Sequence, residues 1–281
     1  GPADVWCCPL PSFHVGGLGI VARAWLNGAR VVDLVPWSAA AFERLCEQER
    51  VTLTSLVPAQ LSDLVRAGLR SPQSLRAAVI GGGALAAPLY EAARELGWPI
   101  LPSYGMTECS SQVATARAGA QDLVLLDHVE VRTEDDGAIA IRSPALLTAY
   151  LIEEGGLVDP KLDGWFVTAD VGEIEGKVLR VVGRRGDFVK IGGESVDLGR
   201  LDRLLAELVD PSRAALAALP DERLGHVIVM AYCDDGALLA VEPFNRRVMP
   251  FERIRRTVRV ETIPRTELGK LARKRLQDLV E

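Results

Sequence analysis

The chain has 281 residues, 48% hydrophobic and 25% charged, so it is long enough for one large domain or two smaller ones, each with its own core. A net charge of −6, with both signs spread along the chain, excludes a general nucleic-acid binder, which needs a basic face. No run approaches the ~20 uninterrupted apolar residues of a membrane span, and the first residues do not read as a signal peptide. Cys7, Cys8, Cys46, Cys109 and Cys233 are odd in number and lack zinc-ligand spacing, so they are expected to be reduced thiols of a cytoplasmic protein.

In chain order, residues 5–10 predict a short buried strand, on which Cys7 and Cys8 point to opposite faces. An amphipathic helix over 18–26 is closed by Asn27-Gly28, a good C-terminal signal. A strand at 30–35, a helix at 39–49 and a β-branched strand at 51–57, stopped by Pro58, come next. After a helix at 59–67, a strand at 77–80 runs into Gly81-Gly82-Gly83, followed by a helix over about 88–96. The strand at 99–102 leads into "YGMTE", Tyr104 to Glu108. Strands alternating with helices of this length imply right-handed crossovers and a mostly parallel sheet, an α/β fold.

Beyond Cys109 the pattern changes. Residues 123–184 are short alternating strands punctuated by glycines and acidic pairs, as in an antiparallel sheet or small barrel, a β-rich subdomain. The polar break "GRRGD" at 183–187 is the candidate boundary between an N-terminal domain, 1–185, and a small α+β C-terminal domain, 186–281. That second part predicts a strand at 188–191, a helix at 198–208, strands near 214–218 and 227–233, and a basic C-terminal helix.

In an open parallel sheet, ligands sit beyond the carboxyl ends of the strands. Two loops fall there, "GGGAL" at 81–85 and "YGMTE" at 104–108. Glycines let the backbone and its amides approach a ligand, although a glycine run alone is more simply a strand-to-helix turn. Tyr104 offers an aromatic face, Thr107 a hydroxyl for a phosphate oxygen and Glu108 a hard anionic ligand for Mg²⁺. Singly each is an ordinary surface residue; together at one strand end they suggest a nucleotide site. Asp170, in "TAD", suits ribose hydroxyls or a turn cap, and Lys270, in "PRTELGK", sits at a loop tip before the basic helix.

"YGMTE", "GWFVTAD", "GRRGDFVKIGGE" and "PRTELGK" stand in the order and spacing of the adenylate-forming superfamily, which this chain resembles. The superfamily holds acyl- and aryl-CoA ligases, peptide-synthetase adenylation domains and firefly luciferase. "PLPSFHVGGL" and "GGGAL" extend the likeness over nearly the whole chain, and Ser111-Gln112 after the glutamate is most similar to the o-succinylbenzoate–CoA ligases of menaquinone biosynthesis.

The resemblance implies an AMP-forming acid–thiol ligase that uses ATP, Mg²⁺ and coenzyme A on a small carboxylic acid; a homodimer is left open. It implies that Gly82, Gly83 and Ala84 line the adenine and acyl pocket, that Tyr104 stacks on adenine with Gly105 beside it, that Thr107 holds the α-phosphate, and that Glu108 serves Mg²⁺. Asp170 and Arg184 take the ribose, and Lys270 bridges the carboxylate and α-phosphate. His14, matched as a gate or wall, and Ser110, Ser111 and Gln112 face the acid; a half-buried histidine and a polar strand edge are the plainer alternatives. Gly192, Gly193 and Glu194 match the loop of the pantetheine tunnel, and Gly186 stands at the hinge about which a mobile C-terminal domain rotates between half-reactions.

One motif departs. The superfamily's Ser/Thr- and Gly-rich phosphate loop, expected upstream of "PLPSFH", is not among these residues. That loop grips the β- and γ-phosphates, so the chain as it stands is expected to bind ATP poorly and to retain the second half-reaction or hydrolysis of a supplied adenylate. A partially active or non-catalytic acyl-adenylate or acyl-CoA binding protein, and a ligase for another aryl or acyl acid, therefore stand beside the main reading.

Overall fold

A computed structural model describes residues 1–152, 155–191, 194–267 and 269–281. They form two compact units, one of Gly1–Thr168 and Gly172–Arg180, the other of Ala169–Val171 and Val181–Glu281.

The first unit opens as a repeating β-α chain: β1 (Val5–Cys8), α1 (Val15–Leu26), β2 (Arg30–Asp33), α2 (Ala39–Glu49), β3 (Leu53–Leu56), α3 (Pro58–Arg66), β4 (Ala77–Ile80), α4 (Ala87–Glu95) and β5 (Ile100–Met106). Strands β2, β1, β3, β4 and β5 lie side by side and parallel. Local chemistry starts the helices: the Ser38 side chain accepts from the Ala41 N–H, and Pro58 takes the first position of α3, where a missing N–H costs nothing. Phe42 and Cys46 of α2, Leu61 and Leu64 of α3, and Tyr90 and Ala93 of α4 close over Cys7, Leu56, Ala78 and Ile80 of the sheet. Helix α1 buries Gly17, Ile20 and Ala24, and the Cys8 thiol points to it, 3.8 Å from the Gly17 carbonyl. Cys7 and Cys8 therefore do face opposite sides, as the alternation requires.

The following strands are β6 (Ser111–Ala116), β7 (Leu123–Leu125), β8 (Glu130–Thr133), β9 (Ala138–Arg142), the small pair β10 (Tyr150–Leu151) and β11 (Leu157–Val158), then β12 (Phe166–Glu175) and β13 (Val178–Arg184). Of the two expected forms, sheet or barrel, the sheet is realised, as a continuation of the parallel half. The order β2-β1-β3-β4-β5-β6-β7-β13-β12-β9-β8 makes one mixed sheet of 11 strands. Strand β5 runs to Met106, past its expected end at 102, because β6 folds back antiparallel and satisfies its backbone groups through the motif.

In the second unit β14 (Phe188–Ile191) and β15 (Glu194–Asp197) form a hairpin, and Asp197 caps α5 (Leu198–Ala206) by accepting from the Arg200 N–H. Strands β16 (Ala214–Asp221) and β17 (Gly225–Tyr232) pair antiparallel. After α6 (Val241–Asn245), β18 (Ile254–Arg259) joins β17 in parallel, and α7 (Arg273–Val280) ends the chain. Period-two alternation gives this sheet two apolar faces. Leu216, Ala218, Ile228 and Met230 pack with Leu201 and Leu205 of α5 and with Phe244. Ala217, Leu219, Val229 and Ala231 pack with Leu276 and Val280 of α7. Strand β18 is not legible in the sequence: it is an edge strand whose Arg255, Arg256 and Arg259 are exposed, so it shows no apolar run.

Among the described residues no helix is long and apolar enough to cross a membrane, and all five cysteines are free thiols.

Candidate functional site

In the first unit the carboxyl ends of the parallel strands gather the loops singled out from sequence. His14 sits at the N-terminal end of α1, its ring 4.6 Å from that of Phe13, without capping the helix through its side chain. Gly81, Gly82, Gly83 and Ala84 leave β4 beside Pro102 and Ser103 of β5, and Gly82 has φ +79°, a conformation a side chain would resist. The half-buried Tyr104 lies opposite Ala114. Between Tyr104 and Gly105 the β5–β6 register shifts, a bulge that brings the two backbones together. A Cβ on Gly105 would stand 1.6 Å from the Ser111 carbonyl oxygen, so only glycine fits.

The motif then closes in one 3-10 turn, Thr107–Cys109, with Thr107 exposed and Glu108 half-buried. Ser110 (φ 53°) and Ser111 (φ 104°) follow in the left-handed region, at a cost of roughly 1–3 kcal/mol each. Strain of that size is characteristic of functional sites and must be held from outside. Here the Ser110 hydroxyl donates to the Ala145 carbonyl at 2.8 Å. Cys109 is buried, which pushes its thiol up to about 12 with the Glu108 charge adding to the effect, so it is no nucleophile. The Gln112 amide donates to the Thr115 hydroxyl at 2.7 Å. Thr115 was not legible from sequence: the bulge brings residues three apart onto one face, which strand alternation forbids.

Glu108 accepts from the Tyr150 hydroxyl on Oε1 at 2.9 Å. Partial burial first, and the bond to Glu108 second, raise the Tyr150 pKa, so the phenol is a proton donor at neutral pH. No group of three or more His, Cys, Asp or Glu suited to a metal lies among the described residues. A single carboxylate with one oxygen already oriented fits a Mg²⁺ that is carried mainly by phosphates and water, the usual way this ion is bound.

In the second unit three further candidates converge. Asp170 lies within β12 and not at a turn, and its carboxylate is 3.6 Å from the Arg184 guanidinium of β13. Lys270 ends a tight loop in which the Thr266 N–H donates to the Lys270 carbonyl at 2.8 Å and the Lys270 N–H to the Thr266 hydroxyl at 3.2 Å. Although exposed at its surface, Lys270 has its pKa lowered, first by loss of solvent, then by repulsion from Arg184; Asp170 opposes both. The structure thus brings Asp170, Arg184 and Lys270 within electrostatic reach of one another.

Gly186 lies in a 3-10 turn, Arg185–Asp187, and Glu194 is exposed at the start of β15. Gly192 and Gly193 lie outside the described residues. Two features of this unit are not legible in the sequence. Arg273 donates from Nε to Asp187 at 2.6 Å, from Nη2 to Asp202 at 2.7 Å and from Nη1 to the Leu216 carbonyl at 3.2 Å, tying the turn to α5 and β16. A depression of about 460 Å³ is lined by Asp221, Arg223, Leu224, Val227, Arg255 and Arg256, three cations to one anion.

Residues 1–151 match the family model described as "AMP-binding enzyme", and the chain belongs to that family. It is similar to the 2-succinylbenzoate–CoA ligase of Bacillus cereus, 29% identical over 302 residues that take in 99% of this chain and 62% of the relative. The fold is similar to that of o-succinylbenzoate CoA synthetase from Bacillus subtilis in complex with its acyl-adenylate intermediate, with a TM-score of 0.85, 26% identity, and coverage of 98% of this chain and 61% of that one. The complex of the B. subtilis enzyme with ATP and magnesium ion gives 0.83 at 27% identity, with coverage of 98% and 62%. The chain spans about three fifths of the length of these relatives.

Proposed function

We propose that the chain serves an ATP-dependent acid–CoA ligase that works through an acyl-adenylate, with o-succinylbenzoate as the acid. The convergence of Lys270 with Asp170 and Arg184 carries this reading. A lysine, a ribose-binding carboxylate and a guanidinium are the set needed to hold a nucleoside monophosphate and steady charge at its phosphorus.

In the first half-reaction a carboxylate oxygen attacks the α-phosphorus and pyrophosphate leaves. Lys270, protonated, stands between the two reacting anions and stabilises the charge that builds as they meet, an electrostatic contribution that is usually large. Tyr104 and the Gly82-Gly83-Ala84 turn hold the adenine, Gly105 lets the backbone close around it, and the Thr107 hydroxyl donates to an α-phosphate oxygen. Mg²⁺, when bound at Glu108, neutralises phosphate charge. In the second half-reaction the sulfur of CoA attacks the acyl carbonyl and AMP leaves. The loop at Gly192, Gly193 and Glu194 guides the pantetheine arm, and the Arg223, Arg255 and Arg256 depression suits the phosphates of the CoA nucleotide. For the acid, the Ser110 hydroxyl and one Gln112 N–H are engaged internally; His14, Ser111 and the rest of the Gln112 amide meet a second carboxylate. Residues 1–185 and 186–281 act as the two domains, with Gly186 as hinge, and ATP, Mg²⁺ and CoA as the bound species.

The test is AMP release with ATP, Mg²⁺ and CoA over a panel of acids headed by o-succinylbenzoate, with the thioester confirmed by mass. Turnover with o-succinylbenzoate above the other acids assigns these residues the whole reaction. Thioester formed only from a synthetic acyl-adenylate assigns these 281 residues the second half-reaction alone. No product in either arm overturns the proposal.

A further inference from the structure

Residues 145–150 hold only the start of one short strand, yet they are fastened firmly to the turn at 107–110. The Ser110 hydroxyl donates to the Ala145 carbonyl at 2.8 Å, the Leu147 N–H donates to the Glu108 carbonyl at 2.8 Å, and the Tyr150 hydroxyl donates to Glu108 Oε1 at 2.9 Å. Behind this strap lies Lys161, whose side chain is only 19% exposed. Its ammonium has three donors, and all three are spent: on the Leu147 carbonyl at 2.7 Å, the Thr148 carbonyl at 2.9 Å and the Asp159 carboxylate at 2.7 Å. Pairing of Tyr150 with Val158 fixes the far end. The strap is thus clamped on one side by Lys161 and delivers one hydroxyl to one carboxylate oxygen on the other.

We propose that Tyr150 is a positioning residue for Glu108, and that the Lys161-clamped strap exists to hold it there. This rests on the metal role given to Glu108 above. A carboxylate without a bonded oxygen is free to turn about its own axis; a bond on Oε1 fixes its plane and leaves Oε2 to face the ion in one direction. Outer partners that orient a metal ligand in this way are worth about 10–100-fold in metal affinity. A purely structural staple would affect stability and leave metal binding unchanged.

The experiment is a titration with Mn²⁺, read by electron paramagnetic resonance in the presence of AMP, which needs no grip on β- and γ-phosphates, on the full chain and on Glu108→Gln, Tyr150→Phe and Lys161→Met, each with its thermal midpoint. Glu108→Gln is expected to remove the protein-dependent Mn²⁺ signal. Tyr150→Phe is expected to raise the Kd about 10-fold with the midpoint held. Lys161→Met, which touches neither Glu108 nor the ion, shifts the Kd the same way by a smaller factor. If Glu108→Gln loses the signal while Tyr150→Phe binds as the parent does, the positioning role is overturned and the metal role stands. Tighter binding by Tyr150→Phe overturns it as well, since the phenol would then be a competitor of the ion. Loss of stability in Tyr150→Phe or Lys161→Met with Kd unchanged reduces the strap to a structural staple. An absent signal in the unsubstituted chain, or an unaffected one in Glu108→Gln, removes the metal role and the positioning role together.

Discussion

Lys270 carries its charge where the surroundings oppose it, since desolvation and Arg184 together hold its pKa below the ordinary lysine range. On the role proposed for Lys270, the working form in adenylation is the ammonium, present below that pKa and lost as pH rises through it. The alkaline limb of kcat/KM, which reports the free enzyme, should therefore fall at a lower pH than an unperturbed lysine would set. Lys270→Ala should cost adenylation about 10²-fold or more while sparing CoA transfer from a supplied adenylate. Pyrophosphate release and thioester formation measure the two steps separately, and equal loss of both would sink the assignment. Gly105 makes a different demand. Its Cβ position overlaps the Ser111 carbonyl, so Gly105→Ala should destabilise the first unit by about 3 kcal/mol or more, read as a lowered denaturation midpoint. Gly105 and Lys270 stand out in the sequence because each belongs to a local motif. Thr115, Tyr150, Lys161 and Arg273 do not, because each meets its partner through a bulge or across long stretches of chain that no spacing rule connects.

At the scale of elements, apolar runs and caps located nearly every strand and helix of the parallel half, since each is a local consequence of burial on a known period. Strand β18 shows the limit of that logic: its exposed arginines, which also guard an open sheet edge, mask its period. Arginines at an edge with no role beyond solubility would be replaceable. If Arg255 and Arg256 meet the CoA phosphates, Arg255→Ala with Arg256→Ala should raise the KM for CoA about 10-fold or more and steepen with neither ATP nor acid. Initial-rate measurements with each substrate varied in turn decide it, and an effect shared by all three would mark a folding defect. The turn Arg185–Asp187 carries a second expectation. Proline fixes φ and removes an N–H, so Gly186→Pro should slow thioester formation more than adenylation; equal rates for both steps in the variant would show that no hinge motion passes through Gly186.

At the scale of the whole molecule, the apolar clusters divide as the units do. Phe42, Leu61, Tyr90 and Trp98 belong to a core confined to the first unit, and Leu201, Leu216, Met230 and Phe244 to one confined to the second. The polar break at 183–187 is a local signal in the sequence, whereas Ala169–Val171 of β12 count with the second unit only because folding the β12–β13 hairpin brings them beside 181–184. Two cores predict two cooperative unfolding events, and the chain supplies its own reporters. All five tryptophans, Trp6, Trp25, Trp37, Trp98 and Trp165, lie in the first unit, so their fluorescence follows that unit alone while far-ultraviolet circular dichroism follows both. Phe244 is fully buried, and Phe244→Ala should cost the second unit about 3–5 kcal/mol. In urea the circular dichroism of that variant should acquire an early transition while its fluorescence midpoint stays at the parent value. Phe42→Ala, equally buried, should do the reverse and move the fluorescence midpoint. If Phe244→Ala shifts both signals together, the units unfold as one cooperative body, and a domain that reorients between half-reactions would then have to break part of a shared core in every turnover.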